Sequence, residues 1–208
     1  AAVGDRVLFY DGFSGELLNS LRGHEKLVTS VSYSYDGQYF ASGGADRVVV
    51  IWKASGQGKL KYNHSAPIQR VKYSPTSFAL ASCSDSDFGI WSPDRKQVQK
   101  EKMNAKILDA AWSSDGTLLA LSTFEGFVSV RDRSNNELYK IIRGGPCWCI
   151  SFIQVIGVGK TLGQDSELLA IGSWDKTISF HKLLADKQTK QQTEKQLKFL
   201  PVSLSTAG

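Results

Sequence analysis

The stretch GHEKLVTSVSYSYDGQYFASGGADRVVVIW, from Gly23 to Trp52, decides the fold. Val28–Tyr33 is a run of small and β-branched residues, the composition of a strand. Asp36-Gly37 follows it, and a Gly that accepts positive φ after Asp is a hairpin turn signal. Tyr39–Ser42 then reads as a second strand and Val48–Trp52 as a third, whose unbroken apolar run predicts burial on both faces. A weaker fourth strand is expected at Lys59–Tyr62, and its counterparts at Glu16–Leu21 and Glu137–Ile142.

Outward from this stretch the pattern recurs. The anchors Tyr33, Tyr73, Trp112 and Phe152 stand 40, 39 and 40 residues apart. Ala41, Ala81, Ala120 and Ala170 stand 40, 39 and 50 apart, and Tyr10, Trp52, Trp91, Arg131 and His181 stand 42, 39, 40 and 50 apart. The two long steps share one cause, an insertion of about ten residues between Phe152 and Ala170. Asp115-Gly116 repeats the turn signal. Helical periodicity is weak throughout, with its best candidate at Leu183–Gln196, which is mostly Lys, Gln and Thr. Units of four short strands near forty residues long predict an all-β propeller. The expected division is one domain over 1–208 with units at about 1–21, 22–62, 63–101, 102–142 and 143–200. Four to five blades fall short of a usual ring, and the chain opens on AAVGDRVLFYDG in mid-pattern, so an incomplete propeller cut from a longer protein is expected.

The bulk properties fit this reading. With 41% hydrophobic and 22% charged residues the composition is ordinary for a globular protein, and 19 glycines suit many turns. The net charge of +5 is scattered until Lys182, Lys187, Lys190, Lys195 and Lys198, which read as a solvated loop rather than a nucleic-acid surface. No window reaches the 18 apolar residues a membrane helix needs. Three cysteines, Cys83, Cys147 and Cys149, form no disulfide framework. In a regular strand Cys147 and Cys149 share a face, and with no further ligands nearby both read as buried thiols rather than a metal site.

Several residues look chemical. His24, Ser42 and Asp46 could suggest a nucleophilic triad, but the set recurs in the next unit as His64, Ser82, Asp85 and Trp91 and then decays, with Glu125 and Arg131 in the fourth unit and Asp175 and His181 in the fifth. A catalytic set is not duplicated and allowed to fade. Gly157-Val158-Gly159-Lys160-Thr161 resembles the end of a phosphate-binding loop, yet Gln154 stands where the earlier Gly is required and a strand, not a helix, follows. Neither catalysis nor a cofactor is expected.

Gly23-His24, the Ala-Ser-Gly-Gly-Ala-Asp turn and Ile51-Trp52 resemble a WD40 repeat. That resemblance implies a structural tetrad in which Trp52 bonds Ser42, Ser42 bonds His24 and His24 bonds Asp46, with His64, Ser82, Asp85 and Trp91 as a second. The run LASCSDSDFGIWSPDRKQVQKEK, Leu80–Lys102, is more specific. With LRGHEKLVTSVSYSYDGQYFASGGADRVVVIW, LKYNHSAPIQRVKYSP, LLALSTFEGFVSVRD and LLAIGSWDKTISFHKL, it resembles the first propeller of the intraflagellar transport protein 122 family. The resemblance implies a non-enzymatic scaffold of intraflagellar transport complex A, at the ciliary base, in the cilium or flagellum and in the cytoplasm. Its partners would be other subunits of that complex and ciliary cargo adaptors, with no nucleic acid and no membrane insertion. It would support retrograde transport and the entry of membrane proteins into the cilium. A coatomer-like propeller and a ubiquitin-ligase substrate receptor are the rival readings. Partner contacts are expected on the fifth unit, with its insertion at 154–167 and its basic stretch at 184–196.

Overall fold

The computed structural model describes residues 1–93, 98–155 and 166–182. The phosphate-loop look-alike at 157–161, most of the insertion, the stretch at 184–196 and the helix candidate lie outside these residues.

The described chain forms eighteen strands in five antiparallel sheets, each laid down in chain order. The first sheet holds β1 (Ala2–Val3), β2 (Arg6–Tyr10) and β3 (Leu17–Arg22). The second holds β4 (Val28–Tyr33), β5 (Tyr39–Gly44), β6 (Val48–Lys53) and β7 (Gly58–Asn63). The third holds β8 (Ile68–Tyr73), β9 (Leu80–Ser84), β10 (Asp87–Trp91) and β11 (Gln99–Lys102). The fourth holds β12 (Ile107–Trp112), β13 (Leu118–Thr123), β14 (Phe127–Asp132) and β15 (Glu137–Ile142). The fifth holds β16 (Cys147–Val155), β17 (Ser166–Ser173) and β18 (Ile178–Lys182). The first strands of successive sheets lie beside one another, β4 by β8, β8 by β12 and β12 by β16. That arrangement makes each sheet a blade of a β-propeller.

Successive blades pack face to face. Ala41, Val49 and Ile51 of the second blade meet Ile68, Val71, Tyr73, Leu80 and Trp91 of the third in one buried cluster. The same meeting recurs between the third and fourth blades around Phe88 and Ile107, and between the fourth and fifth around Val130 and Ile150. Side chains alternate along a strand, so Phe40 points back to Val7 of the first blade while Ala41 points forward to the third. The middle strands are therefore buried on both faces, whereas β7 is almost wholly exposed. This explains why the fourth strand of each unit is faint in sequence.

The pairing register aligns the repeat. Trp52, Trp91, Arg131 and His181 stand opposite Phe40, Leu80, Leu119 and Leu169 in their respective hairpins. A β-bulge recurs in the first strand of blades two to five, between Val28 and Ser30, Ile68 and Arg70, Ile107 and Asp109, and Cys147 and Cys149. The last bulge corrects the reading of the cysteines. The extra residue, Trp148, shifts the alternation, so Cys147 is buried while Cys149 is exposed.

Candidate functional site

In the second blade one polar network is closed inside the fold. The loop after β3 carries His24 and the β5–β6 turn carries Asp46, with His24 Nδ1 3.0 Å from an Asp46 oxygen. His24 Nε2 lies 2.7 Å from Ser42 Oγ, and Trp52 Nε1 donates to the same Oγ at 2.9 Å. Ser42 is fully buried, so its hydroxyl must find both partners inside the protein. A neutral ring with its proton on Nδ1 satisfies every group: Nδ1–H donates to Asp46, and Nε2 accepts from Ser42. Burial pushes the Asp46 carboxyl upward, but the Glu25 and Val48 N–H groups and His24 outweigh it and hold the pKa low. The indole of Trp52 stacks on Phe40 at 5.8 Å with planes 3° apart. Its far edge lies against the chain before His24: a Cβ at Gly23 would stand 2.4 Å from Trp52 Cη2.

The third blade is built differently, and two assignments made from the repeat fail here. His64 bonds Asp87, at 2.6 Å from Nδ1, and not Asp85. The reason is the hairpin. Ser42 pairs with Val50, eight residues on, but Ser82 pairs with Gly89, seven on. The shorter turn at Asp85-Ser86 leaves Asp85 to accept from Gln69 at 2.7 Å and brings Asp87 under the histidine. Trp91 is the second change. No hydrogen bond joins it to Ser82. Tyr62 donates instead, from its hydroxyl to Ser82 Oγ at 3.2 Å, while His64 Nε2 lies 2.8 Å from the same oxygen. Asn63 stands where Gly23 does, and its Cβ would collide with an indole in the Trp52 pose. Trp91 packs into the apolar cluster between blades instead.

The electrostatics follow this geometry. Burial raises the Asp87 carboxyl, but bonds from Ser65, Ser84 and His64 outweigh it and bring its pKa to about 2. Burial also lowers the pKa of His64, only partly opposed by Asp87.

The fourth and fifth blades fill the same slots with other chemistry. The His64 N–H donates to Arg47 of the preceding blade's turn, as Met103 N–H does to Ser86 and Arg143 N–H to Gly126. Met103 and Arg143 thus take the histidine position. Leu121 and Ile171 take the Ser42 position, each one residue after the aligned alanine. Met103 and Leu121 lie in the same apolar cluster, so the polar pair is replaced as a pair. Arg131, in the Trp slot, bonds Ser129 Oγ at 3.1 Å and the Asn135 carbonyl at 3.0 Å, and lies 3.4 Å from Glu101. Glu125 caps the Lys106 N–H through both oxygens. In the fifth blade Arg143 pairs with Asp175 at 3.0 Å, and His181 Nε2 lies 2.9 Å from Ser179 Oγ.

A second set of bonds, along the inner strands, is invisible in the repeat. Ser30 Oγ accepts the Val71 N–H at 3.1 Å, and Asp109 accepts the Ile150 N–H at 3.2 Å and the Arg70 Nε–H at 3.0 Å. One carboxylate thereby ties three successive blades. Among the described residues no three His, Cys, Asp or Glu side chains gather to hold a metal ion.

The comparisons with known proteins fit this architecture. The IFT122 first β-propeller family matches residues 1–208. The chain belongs to that family. The intraflagellar transport protein 122 homologue of Xenopus tropicalis is 42% identical over 186 residues, covering 88% of the chain and 15% of the relative. The human homologue is 47% identical over 153 residues, covering 72% of the chain and 12% of the relative. The chain therefore spans only about a seventh of the length of these IFT122 relatives. The crystal structure of the Cps50 (Swd1) β-propeller domain of Myceliophteria thermophila superposes with a TM-score of 0.73 over 93% of the chain and 64% of its own, at 17% identity, a likeness of fold alone. Among the described residues of this chain, blades two and three carry a histidine bonded to both a serine and an aspartate, and in blades four and five Met103 with Leu121 and Arg143 with Ile171 take those positions.

Proposed function

We propose that this chain is a protein-holding propeller of intraflagellar transport complex A, without catalytic activity of its own. The observation that carries this reading is family membership over the whole of residues 1–208. The histidine networks support it. His24, Ser42, Asp46 and Trp52 are joined by hydrogen bonds within the second blade, and His64, Ser82 and Asp87 within the third, where Tyr62 of the preceding blade completes the set. A nucleophile needs an open face toward a substrate, and Ser42 and Ser82 are both fully buried. We assign them to the fold: each network pins the loop entering a blade to its middle strands, which keeps the blade's surface loops in fixed places for partners.

On this reading the propeller contacts other subunits of the complex and cargo adaptors at the ciliary base and in the cilium. It serves retrograde transport and the admission of membrane proteins. The test is replacement of the endogenous full-length protein in ciliated cells by one lacking the propeller. The intact protein retrieves the remaining subunits and restores tip-to-base transport, and the shortened one fails in at least one of these. Normal recovery of every subunit together with normal transport by the shortened protein overturns the proposal.

A further inference from the structure

An aromatic cluster stands open on the same face as the histidine loops, where the fourth and fifth blades meet. Phe124 occupies the β13–β14 turn, Trp174 the β17–β18 turn and Trp148 the bulge of β16. The equivalence is fixed by backbone bonds: Phe124 N–H donates to Lys106, Trp174 N–H to Pro146 and, in the second blade, Ala45 N–H to Leu27. Where the second blade has Ala45, these two blades have Phe and Trp. The bulge position is Thr29, Gln69 and Leu108 in the preceding blades and Trp148 here.

The three rings touch in a row. Phe124 and Trp148 have centroids 6.3 Å apart with planes at 88°, and Trp148 and Trp174 are 6.0 Å apart at 46°. They remain 49%, 46% and 68% exposed, and exposed aromatics in contact mark an interaction surface more often than isolated ones do.

Charge selects the occupant. Glu125 follows Phe124 directly, and both its oxygens take the neutral Lys106 N–H, so its negative charge faces no cation among the described ion pairs. The nearby cations are otherwise held, Lys106 by Asp85 at 3.7 Å and Arg143 by Asp175 at 3.0 Å. Lys176, exposed on the Trp174 turn, is a cation the occupant must tolerate. Ring faces attract a cation within about 6 Å of their centroids, so rings this close can share one. An unneutralised carboxylate adds to that attraction and repels phosphate.

We propose that Phe124, Trp148 and Trp174, with Glu125, form a docking site for an arginine side chain presented by an extended segment of a partner protein. Arginine suits it better than lysine because the planar, weakly hydrated guanidinium stacks on rings. The proposal rests on the protein-holding reading above and names the chemistry of one contact.

The test is fluorescence polarisation of the full-length protein with a labelled octapeptide of glycine and serine carrying two arginines, against the same peptide with citrulline or lysine. Saturable binding of the arginine peptide is expected. It weakens at least fivefold in Trp148→Ala and in Trp174→Ala, about threefold in Glu125→Gln and severalfold with lysine, and is lost with citrulline. Trp174→Phe restores most of it, and Lys176→Ala leaves it no weaker. Trp174 is largely exposed, so its variant reports on binding if Trp148→Ala fails to fold. Equal binding of the citrulline peptide, an unchanged affinity in Glu125→Gln or no saturable binding overturns the proposal. Recovery of the complex's other subunits by Trp174→Ala is scored in parallel: intact assembly without peptide binding removes this site and leaves the protein-holding reading standing.

Discussion

Trp52→Phe separates the hydrogen bond from the packing in the second blade. Trp52 is 5% exposed, stacked on Phe40, and donates to a Ser42 oxygen that solvent does not reach. Phenylalanine keeps the stacking and loses the donor. Leaving a buried acceptor short of its partner costs about 1–3 kcal/mol. The lost ring atoms leave a gap beside Gly23, at about 1–2 kcal/mol. The sum, about 2–5 kcal/mol, is a large part of the roughly 5–15 kcal/mol that holds a domain folded. Trp91→Phe is the internal control. Trp91 is comparably buried but gives no bond to Ser82, so only the packing loss of about 1–2 kcal/mol applies. The assay is hydrogen exchange across a urea series on the full-length protein, read on peptides covering residues 23–63 and 64–102, so that each blade reports its own opening. A clearly larger loss for Trp52→Phe is the expected result. Equal losses would refute the argument that the indole N–H holds the second blade's network.

Further expectations follow from the same geometry. Asp87→Asn destabilises the third blade by about 1–3 kcal/mol whereas Asp85→Asn changes it by less than about 0.5 kcal/mol, checked by urea midpoints on the same peptides. Gly23→Ala drives a Cβ into the Trp52 indole and costs about 1–3 kcal/mol, measured as lost exchange protection in β6. Asp109→Ala frees the Ile150 N–H and Arg70 at once, and protection falls in the third, fourth and fifth blades together rather than in one. Acid weakens the third blade in two windows. The lowered pKa of His64 means the unfolded chain takes up the proton first, so stability falls as pH drops below the ordinary histidine value of about 6.5, and His64→Asn removes that window. The Asp87 carboxyl, near 2 when folded, contributes stability above the ordinary Asp value of about 3.9 that is lost as pH falls toward 2, and Asp87→Asn removes this second window.

The repeat made the blades legible because a buried middle strand and a Gly-bearing turn must recur wherever the architecture recurs. Tyr33, Ala41 and Trp52 and their counterparts mark those positions, and the register places them in equivalent sites. The third-blade network was less legible. The 39-residue step and Asn63 in place of Gly23 are visible in the sequence, but the shortened hairpin and the blocked indole pose they stand for emerge only from the register and the Gly23–Trp52 approach, and choosing between Asp85 and Asp87 requires the turn geometry. Tyr62 carries no signal in the repeat, since it lies on the outermost strand of the preceding blade. Cys149 was misplaced because a bulge leaves no mark in the residue types around it. The ties made by Ser30 and Asp109 join residues about forty positions apart, and no local pattern reports them. The aromatic contact of Phe124, Trp148 and Trp174 likewise exists only once neighbouring blades are laid side by side.

The proposed role, holding partner proteins on a rigid frame, predicts how the propeller exchanges its amide hydrogens. Hydrogen exchange of the full-length protein, alone and within the assembled transport complex purified from ciliated cells, tests it most directly. Slow exchange in β4–β6 and β8–β10 in both states, with new protection on assembly in surface segments of residues 1–182 and foremost around Phe124, Trp148 and Trp174, is the predicted result. Identical exchange throughout residues 1–182 in the free and assembled protein would contradict it.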